Sequence, residues 1–185
     1  MKSDINLRHL TKLPELPKNW AHSSVDELCI MEPIVNKKLA QKQYVQKGKH
    51  PVIDQGADFI GGYTDNNDLV IEVPEDGAFI IFGDHSRAFK LVDFNFVPGA
   101  DGVKVLRPLC VLPKWAYYFF KALHLPNKGY ARHFQYLKEA YLPLPPLSIQ
   151  KLIVDRIEEL FSHIDAGVEG LKQAKVKLQQ YRQSV

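Results

Sequence analysis

The pattern of apolar and polar positions changes character along the chain. From Pro51 onward, short apolar runs alternate with Gly, Pro and Asp punctuation. Pro51-Val52-Ile53, Leu69–Val73 before Pro74, Ala78–Phe82 before Gly83, Phe89–Val97 with its partial alternation, and Val103–Leu106 each predict a short strand. Pro113 to Leu125 has a different texture. Trp115, Tyr117, Tyr118, Phe119, Phe120, Ala122 and Leu123 predict a buried helix with Pro113 near its start. Upstream, the mixed stretch Trp20–Asn36 fits a strand or a short helix, and periodicity does not decide between them. The Pro-punctuated Leu13–Pro17 breaks any helix running in from the polar first 13 residues, which read as an arm or a short helix. Tyr130–Tyr141 predicts mixed helix and loop.

A second change comes at Leu142-Pro143-Leu144-Pro145-Pro146-Leu147. Three prolines in four positions forbid a helix and favour a stiff extended segment. Ser148 then offers an N-cap, and no proline follows. Ile157, Ile164, Leu171 and Leu178 recur every seven residues, as do Ile153, Leu160, Gly167, Ala174 and Tyr181. Two such sets sustained over about four heptads predict a coiled-coil seam. A helix of that length is about 50 Å long, too long to lie along one small globule over its whole length. The expected class is therefore α+β: a compact, β-rich mixed domain over residues 1–147, then a long C-terminal coiled-coil helix over 148–185 that needs a partner.

Composition narrows the classes without changing this outline. With 185 residues, 45% apolar and 24% charged, the chain reads as one globular domain plus an appendage, not as a disordered protein. Two cysteines, Cys29 and Cys110, exclude a disulfide scaffold and a cysteine zinc site. MKSDINLRHL lacks the apolar core of a signal peptide, and no run reaches the length of a membrane span. A cytoplasmic protein with no membrane partner is the expectation.

Charge carries more information. The net charge is only +3, but Asn36–Ile53 holds five lysines (Lys37, Lys38, Lys42, Lys47, Lys49) and no acid. Asp54–Asp101 holds ten acids against Arg87 and Lys90, and Gly102–Lys138 holds seven basic residues and no acid. If the two basic segments meet in space they form a face suited to a polyanion; otherwise the charges simply mix on the surface.

Three strings invite a chemical reading. Gly83-Asp84-His85-Ser86-Arg87 could hold a metal or run acid–base chemistry, yet the further Asp-x-His and Asn-His of a metallophosphoesterase are missing, as is a Gly-x-Ser-x-Gly elbow. A polar loop after a buried strand is the better account. Gly56–Gly62 lacks the Lys-Ser/Thr ending of a phosphate loop and reads as a turn presenting backbone to something large. Asn127 to Tyr136 interleaves Lys128, Arg132, His133 and Gln135 with Tyr130, Phe134 and Tyr136, residue types suited to phosphates and base edges. The same aromatics also fit a core, and the two uses are compatible. On the terminal helix, six basic and five acidic residues read as a solvated coiled-coil surface, acidic first and basic later, which suits antiparallel pairing with a copy of itself.

These residues together resemble one half of a specificity (S) subunit of a type I restriction-modification system. The resemblance rests on Leu16-Pro17-Lys18-Asn19-Trp20, Tyr63-Thr64-Asp65, Ile81-Phe82-Gly83-Asp84-His85, Asp93-Phe94-Asn95-Phe96, Gly99-Ala100-Asp101-Gly102, and Gly129-Tyr130-Ala131-Arg132-His133-Phe134. Its most specific part is Pro143-Leu144-Pro145-Pro146-Leu147 with Gln150 before the heptad helix that ends at Tyr181-Arg182-Gln183-Ser184-Val185; Ile149 stands where the family usually has an acid. The resemblance implies a non-catalytic chain that reads one half of a bipartite double-stranded DNA target. It implies helices that pair antiparallel as a ruler and dock a methylation subunit and, through it, a restriction subunit. S-adenosylmethionine would sit in the methylation subunit, and ATP and magnesium would serve the restriction subunit, leaving no cofactor or metal in this chain. One half where the family has two implies a natural half-subunit or a cut piece.

On this reading Arg132, His133, Lys128, Asn127, Gln135 and Tyr130 are expected at the DNA face, with Lys37, Lys38 and Lys42 as further phosphate contacts. Ile153, Ile157, Leu160, Ile164, Leu171, Leu178 and Tyr181 are expected in a homodimer seam. The competing accounts are a coiled-coil-dimerised scaffold without DNA specificity and, more remotely, a metal phosphoesterase at Asp84 and His85.

Overall fold

The computed structural model describes residues 15–99, 102–126 and 132–184. The elements run β1 (Ala21–Ser24), α1 (Val25–Leu28), β2 (Cys29–Met31), β3 (His50–Ile53), β4 (Gly62–Thr64), β5 (Phe79–Gly83), β6 (Phe89–Val92), β7 (Val97–Pro98), β8 (Val103–Pro108), α2 (Pro113–Ala122), α3 (Phe134–Lys138), β9 (Tyr141–Leu144) and α4 (Leu147–Ser184).

β5 is the spine of the domain, and all five of its residues are buried. It sits inside an antiparallel sheet ordered β2-β8-β5-β6, pairing Ile80 with Leu91 on one side and with Leu106 on the other. Because side chains alternate across a strand, its two faces feed two different cores. Ile80 and Phe82 join Trp115, Ala116 and Phe120 of α2, together with Leu137 and Leu142, while Phe79 and Ile81 join Ile53, Phe96, Val103 and Val105. Burial on both faces explains why this strand reads as an unbroken apolar run. A second sheet, β4-β3-β7, lies against the Phe79 side and mixes an antiparallel with a parallel pairing.

The third sheet has only two strands, β1 and β9, antiparallel, with His22 opposite Pro143. Proline cannot donate to a ladder and belongs on an edge, which is where β9 places it. This pairing ties the start of the domain to the chain just before α4. Ser24 then closes a reciprocal cap with Glu27, its hydroxyl accepting from the Glu27 amide, and α1 begins.

α4 is 38 residues long, about 57 Å at the α-helical rise. It starts at Leu147, and the amides of Ile149 and Gln150 donate to the Pro146 carbonyl, so Ser148 lies inside the first turn and is not the cap expected from the sequence. The first turns belong to the globule. Gln150 is buried; its Nε2 donates to the Pro145 carbonyl and its Oε1 accepts from the Leu112 amide at the entrance to α2. Val154 is buried, Ile153 packs on the larger core, Lys114 of α2 pairs with Glu158, and Tyr118 meets the Phe161 ring. Beyond Phe161 every described side chain of α4 is exposed.

One predicted strand is absent. Asn67–Leu69 forms a 3-10 turn capped by Asn66, and of the segment expected to continue as a strand only Ile71 bridges, to Phe96. Val70 packs beneath Leu39 and Val52, and Glu72 faces solvent.

The Gln150 amide is the joint between globule and rod. Replacing it with Ala leaves the Leu112 N–H and the Pro145 carbonyl without that partner in a buried place. Gln150→Ala is expected to lower the unfolding free energy by about 3 kcal/mol in urea titrations.

Candidate nucleic-acid interface

The turn from β5 to β6 is the centre of the site. Its backbone closes on itself, Gly83 N–H donating to the Ala88 carbonyl at 2.9 Å and Arg87 N–H to the Gly83 carbonyl at 2.7 Å. Arg87 sits at φ 60, a left-handed conformation that costs a side-chain-bearing residue about 1 kcal/mol over glycine.

Asp84 is the knot. It is 3% exposed, and its carboxylate accepts from the Phe134 amide at 2.7 Å. Its carbonyl accepts the His133 amide at 3.1 Å and lies 2.9 Å from His133 Nδ1. Its own amide donates to Gly102 at 2.6 Å, and the next amide, that of His85, donates to Gln55 Oε1. Three loops distant in sequence thus meet on one aspartate. A Cβ on Gly102 would come within 2.8 Å of the His85 ring, so this approach needs glycine. The two strings that the sequence analysis weighed separately, Gly83–Arg87 and the stretch around Arg132, form one feature. Asp84 shapes the loop, as expected.

Around this knot the expected contact residues separate. Arg132 is exposed immediately before the anchored His133, and Gln135 is exposed on α3. His133 is fully buried. That removes it from any surface a duplex could touch, because its ring is spent on fixing the loop. Phe134 is half-buried against Phe82, with the Lys104 ammonium 5.5 Å from its ring centre. Asn127, Lys128 and Tyr130 lie outside the described residues.

The lysine-rich segment sits elsewhere, beside β4 and β7. Lys37 turns its ammonium inward to the Val70 carbonyl at 2.7 Å, which corrects its expected role as a phosphate contact. Lys38 and Lys42 are exposed. The loop Gly56–Gly62, considered above for phosphate, instead wraps a buried ion pair. Lys90 is 5% exposed, donates to the Asp58 carbonyl and lies 3.5 Å from Asp54, whose carboxylate also accepts the Gly56 amide. Burial pushes the Lys90 ammonium below its ordinary pKa, and the Asp54 charge opposes that shift.

One feature was not expected from the sequence. Ser86, Arg87, Lys121 and His124 line a depression of about 290 Å³ over Phe89 and Leu125. Its sequence signals were weak: Arg87 stood out only as a cation in an acidic stretch, and His124 carries no formal charge in the count. Among the described residues, no group of three or more His, Cys, Asp and Glu side chains is placed to hold a metal ion.

The family described as "Type I restriction modification DNA specificity domain" matches residues 17–174. The chain belongs to that family. No curated protein matches it at a significant level. Among solved structures, the HsdS subunit from Thermoanaerobacter tengcongensis superposes with a TM-score of 0.62 at 18% identity, over 83% of this chain and 40% of that one. The type I restriction-modification S subunit from M. genitalium gives 0.58 at 20% identity, over 83% and 42%. A chain from a structure of "complex assembly and conformational transition of the type I R-M system" gives 0.68 at 19% identity, over 92% and 45%. This chain therefore spans less than half the length of these neighbours, which share its fold: a β-rich domain and a long helix.

If Asp84 serves as an acceptor, charge is dispensable and oxygen is not. Asp84→Asn is expected to cost less than about 1 kcal/mol in urea unfolding, whereas Asp84→Ala, which leaves the Phe134 amide unpaired, is expected to cost about 2 kcal/mol.

Proposed function

We propose that this chain is a non-catalytic DNA-recognition half-subunit of a type I restriction-modification complex. As a homodimer it reads both halves of an interrupted double-stranded target and docks methylation subunits, and through them a restriction subunit. S-adenosylmethionine belongs to the methylation subunits, and ATP and magnesium to the restriction subunit. The setting is cytoplasmic; among the described residues no helix is long and apolar enough to cross a membrane.

The observation that carries the reading is a domain of this family continued by a helix whose apolar stripe leaves the globule uncovered. Leu160, Ile164, Leu171, Leu178 and Tyr181 are 46%, 58%, 74%, 61% and 68% exposed. Soluble monomers avoid a stripe of that length. Ile153 drops out of the proposed seam, since it packs on its own domain; the seam begins at the half-buried Ile157.

The stripe is complementary to an antiparallel copy of itself. With two helices crossing at Glu169, Ile157 faces Tyr181, Leu160 faces Leu178, Ile164 faces Ala174 and Gly167 faces Leu171. Each small residue thus meets a large one, which suits a jigsaw seam. The acid-rich half of one helix then lies along the basic half of the other, which favours this direction over parallel pairing. The two domains sit at opposite ends, related by a twofold axis, so an interrupted palindrome is the matching DNA.

Co-expression with the methylation subunit and mapping of the methylated bases tests the function directly. The expected result is one interrupted palindrome; the absence of any sequence-specific methylation would refute the reading. In binding assays Arg132→Ala is expected to lose roughly 1–3 kcal/mol on that site if Arg132 reads a guanine.

The seam makes a prediction of opposite signs. Nothing lies within 4 Å of a Cβ built at Gly167. In a lone helix, Gly167→Ala should gain about 1 kcal/mol of helix stability. In the proposed dimer the added methyl meets the partner's Leu171, so sedimentation should show weaker self-association. Leu171→Asp should abolish self-association.

A further inference from the structure

The depression beside the Asp84 knot is not used by anything described so far. It is walled by the β5–β6 turn on one side and the end of α2 on the other. Ser86, Arg87, Lys121 and His124 line it, and among the described residues no carboxylate does. The Arg87 guanidinium reaches across to donate to the Leu125 carbonyl at 3.3 Å, and the Lys121 ammonium lies 5.3 Å from the Tyr117 ring centre. The Arg87 guanidinium is thus held against a carbonyl of the depression's own lining, and Lys121, exposed on the last turn of α2, lines it as well.

These cations offset the carbonyl end of α2, as positive charges near a helix C-terminus do. That role does not account for Arg87. Its backbone is left-handed, in a hairpin turn where glycine is the unstrained choice. A bulky cation is held at a position that resists one. The depression also adjoins the candidate interface: Ser86 and Arg87 follow within three residues of Asp84, whose carboxylate and carbonyl fix Phe134 and His133 next to exposed Arg132.

We propose that this depression seats a backbone phosphate of duplex DNA. The proposal rests on the DNA-recognition reading and adds a division of labour to it. Arg87 and Lys121 neutralise the phosphodiester and Ser86 offers a hydroxyl, so the seat sets the height and rotation of the domain on the duplex. It carries no sequence information, because every step of the duplex presents the same phosphate. Arg132, exposed beside the anchored His133, is left to face the bases.

The test uses the full chain assembled with its methylation subunit. Affinity is measured across a range of potassium chloride for two duplexes, one with the methylated target and one without. Two variants remove charge by independent routes: Lys121→Gln at an exposed side chain, and Arg87→Gly at a backbone position glycine accepts. Both copies of the proposed homodimer carry the change, so each is expected to flatten the dependence of log K on log salt by about 1.8. Each should also weaken both duplexes by the same factor and leave the methylated sequence unchanged. Slopes equal to that of the unmodified complex in both variants would overturn the proposal, as would a changed methylation sequence in either. If the unmodified complex showed no salt-dependent binding to either duplex, the DNA reading itself would fall, which separates that failure from the failure of the seat.

Discussion

A helix of about 57 Å anchored at one end cannot hide its apolar stripe on the domain that carries it. That constraint organises the molecule. The base of α4 is fixed by a buried amide, Gln150, and by Val154, and from Phe161 outward the side chains of the helix face solvent. Isolated helices are marginal in water, and Gly167 and Gly170 each cost this one about 1 kcal/mol of helix propensity. Burying a side chain such as Leu171 or Leu178 against a partner returns about 1.5–3 kcal/mol apiece. In the proposed dimer the rod and its partner are therefore coupled: pairing stabilises the helix, and the length of the helix sets the separation of the two domains.

The second organising contact is Asp84. Asp84, 3% exposed, takes the Phe134 amide on its carboxylate and the His133 amide on its carbonyl and gives its own amide to Gly102, and the result is a junction between the β5–β6 turn, the loop at Gly102 and the entrance to α3. Surface loops can differ in sequence and length while such a junction holds their roots in place. A recognition domain needs this combination: rigid roots and variable tips. The buried His133 belongs to the roots, and the exposed Arg132 beside it to the tips.

Most of the architecture was legible in the sequence. Unbroken apolar runs marked β5, alternation marked β6, Pro113 and its aromatics marked α2, and heptads marked α4. The segment Leu69–Val73 misled, because a short apolar run has the same appearance whether its backbone pairs along a sheet or only touches it once, as Ile71 does. Ser148 misled because the helix starts two residues earlier than a Ser148 cap would place it, at Leu147 directly after the two prolines. The site was harder to read. His133 and Arg132 are adjacent in a polar, aromatic string, yet one is spent inward and the other faces out, a distinction made by tertiary contacts with Asp84 and not by residue type. Lys37 and Lys38 divide in the same way around the Val70 carbonyl. Ile153 fits the heptad but sits where the helix is still part of the globule. The depression at Arg87 and Lys121 joins residues more than thirty positions apart, and no local pattern announces such a meeting.

The central claim is that two copies pair antiparallel through α4 with Glu169 at the crossing. Spin labels read it most directly, placed one at a time at Leu152 and at Glu169 in a chain whose exposed Cys110 is replaced by Ser. At the α-helical rise, the antiparallel dimer puts the two labels at position 152 about 50 Å apart, and those at 169 within about 20 Å. Short distances at both positions would mean parallel helices. No intermolecular distance at either would mean that the stripe pairs with something other than a second copy, and either result would contradict the account.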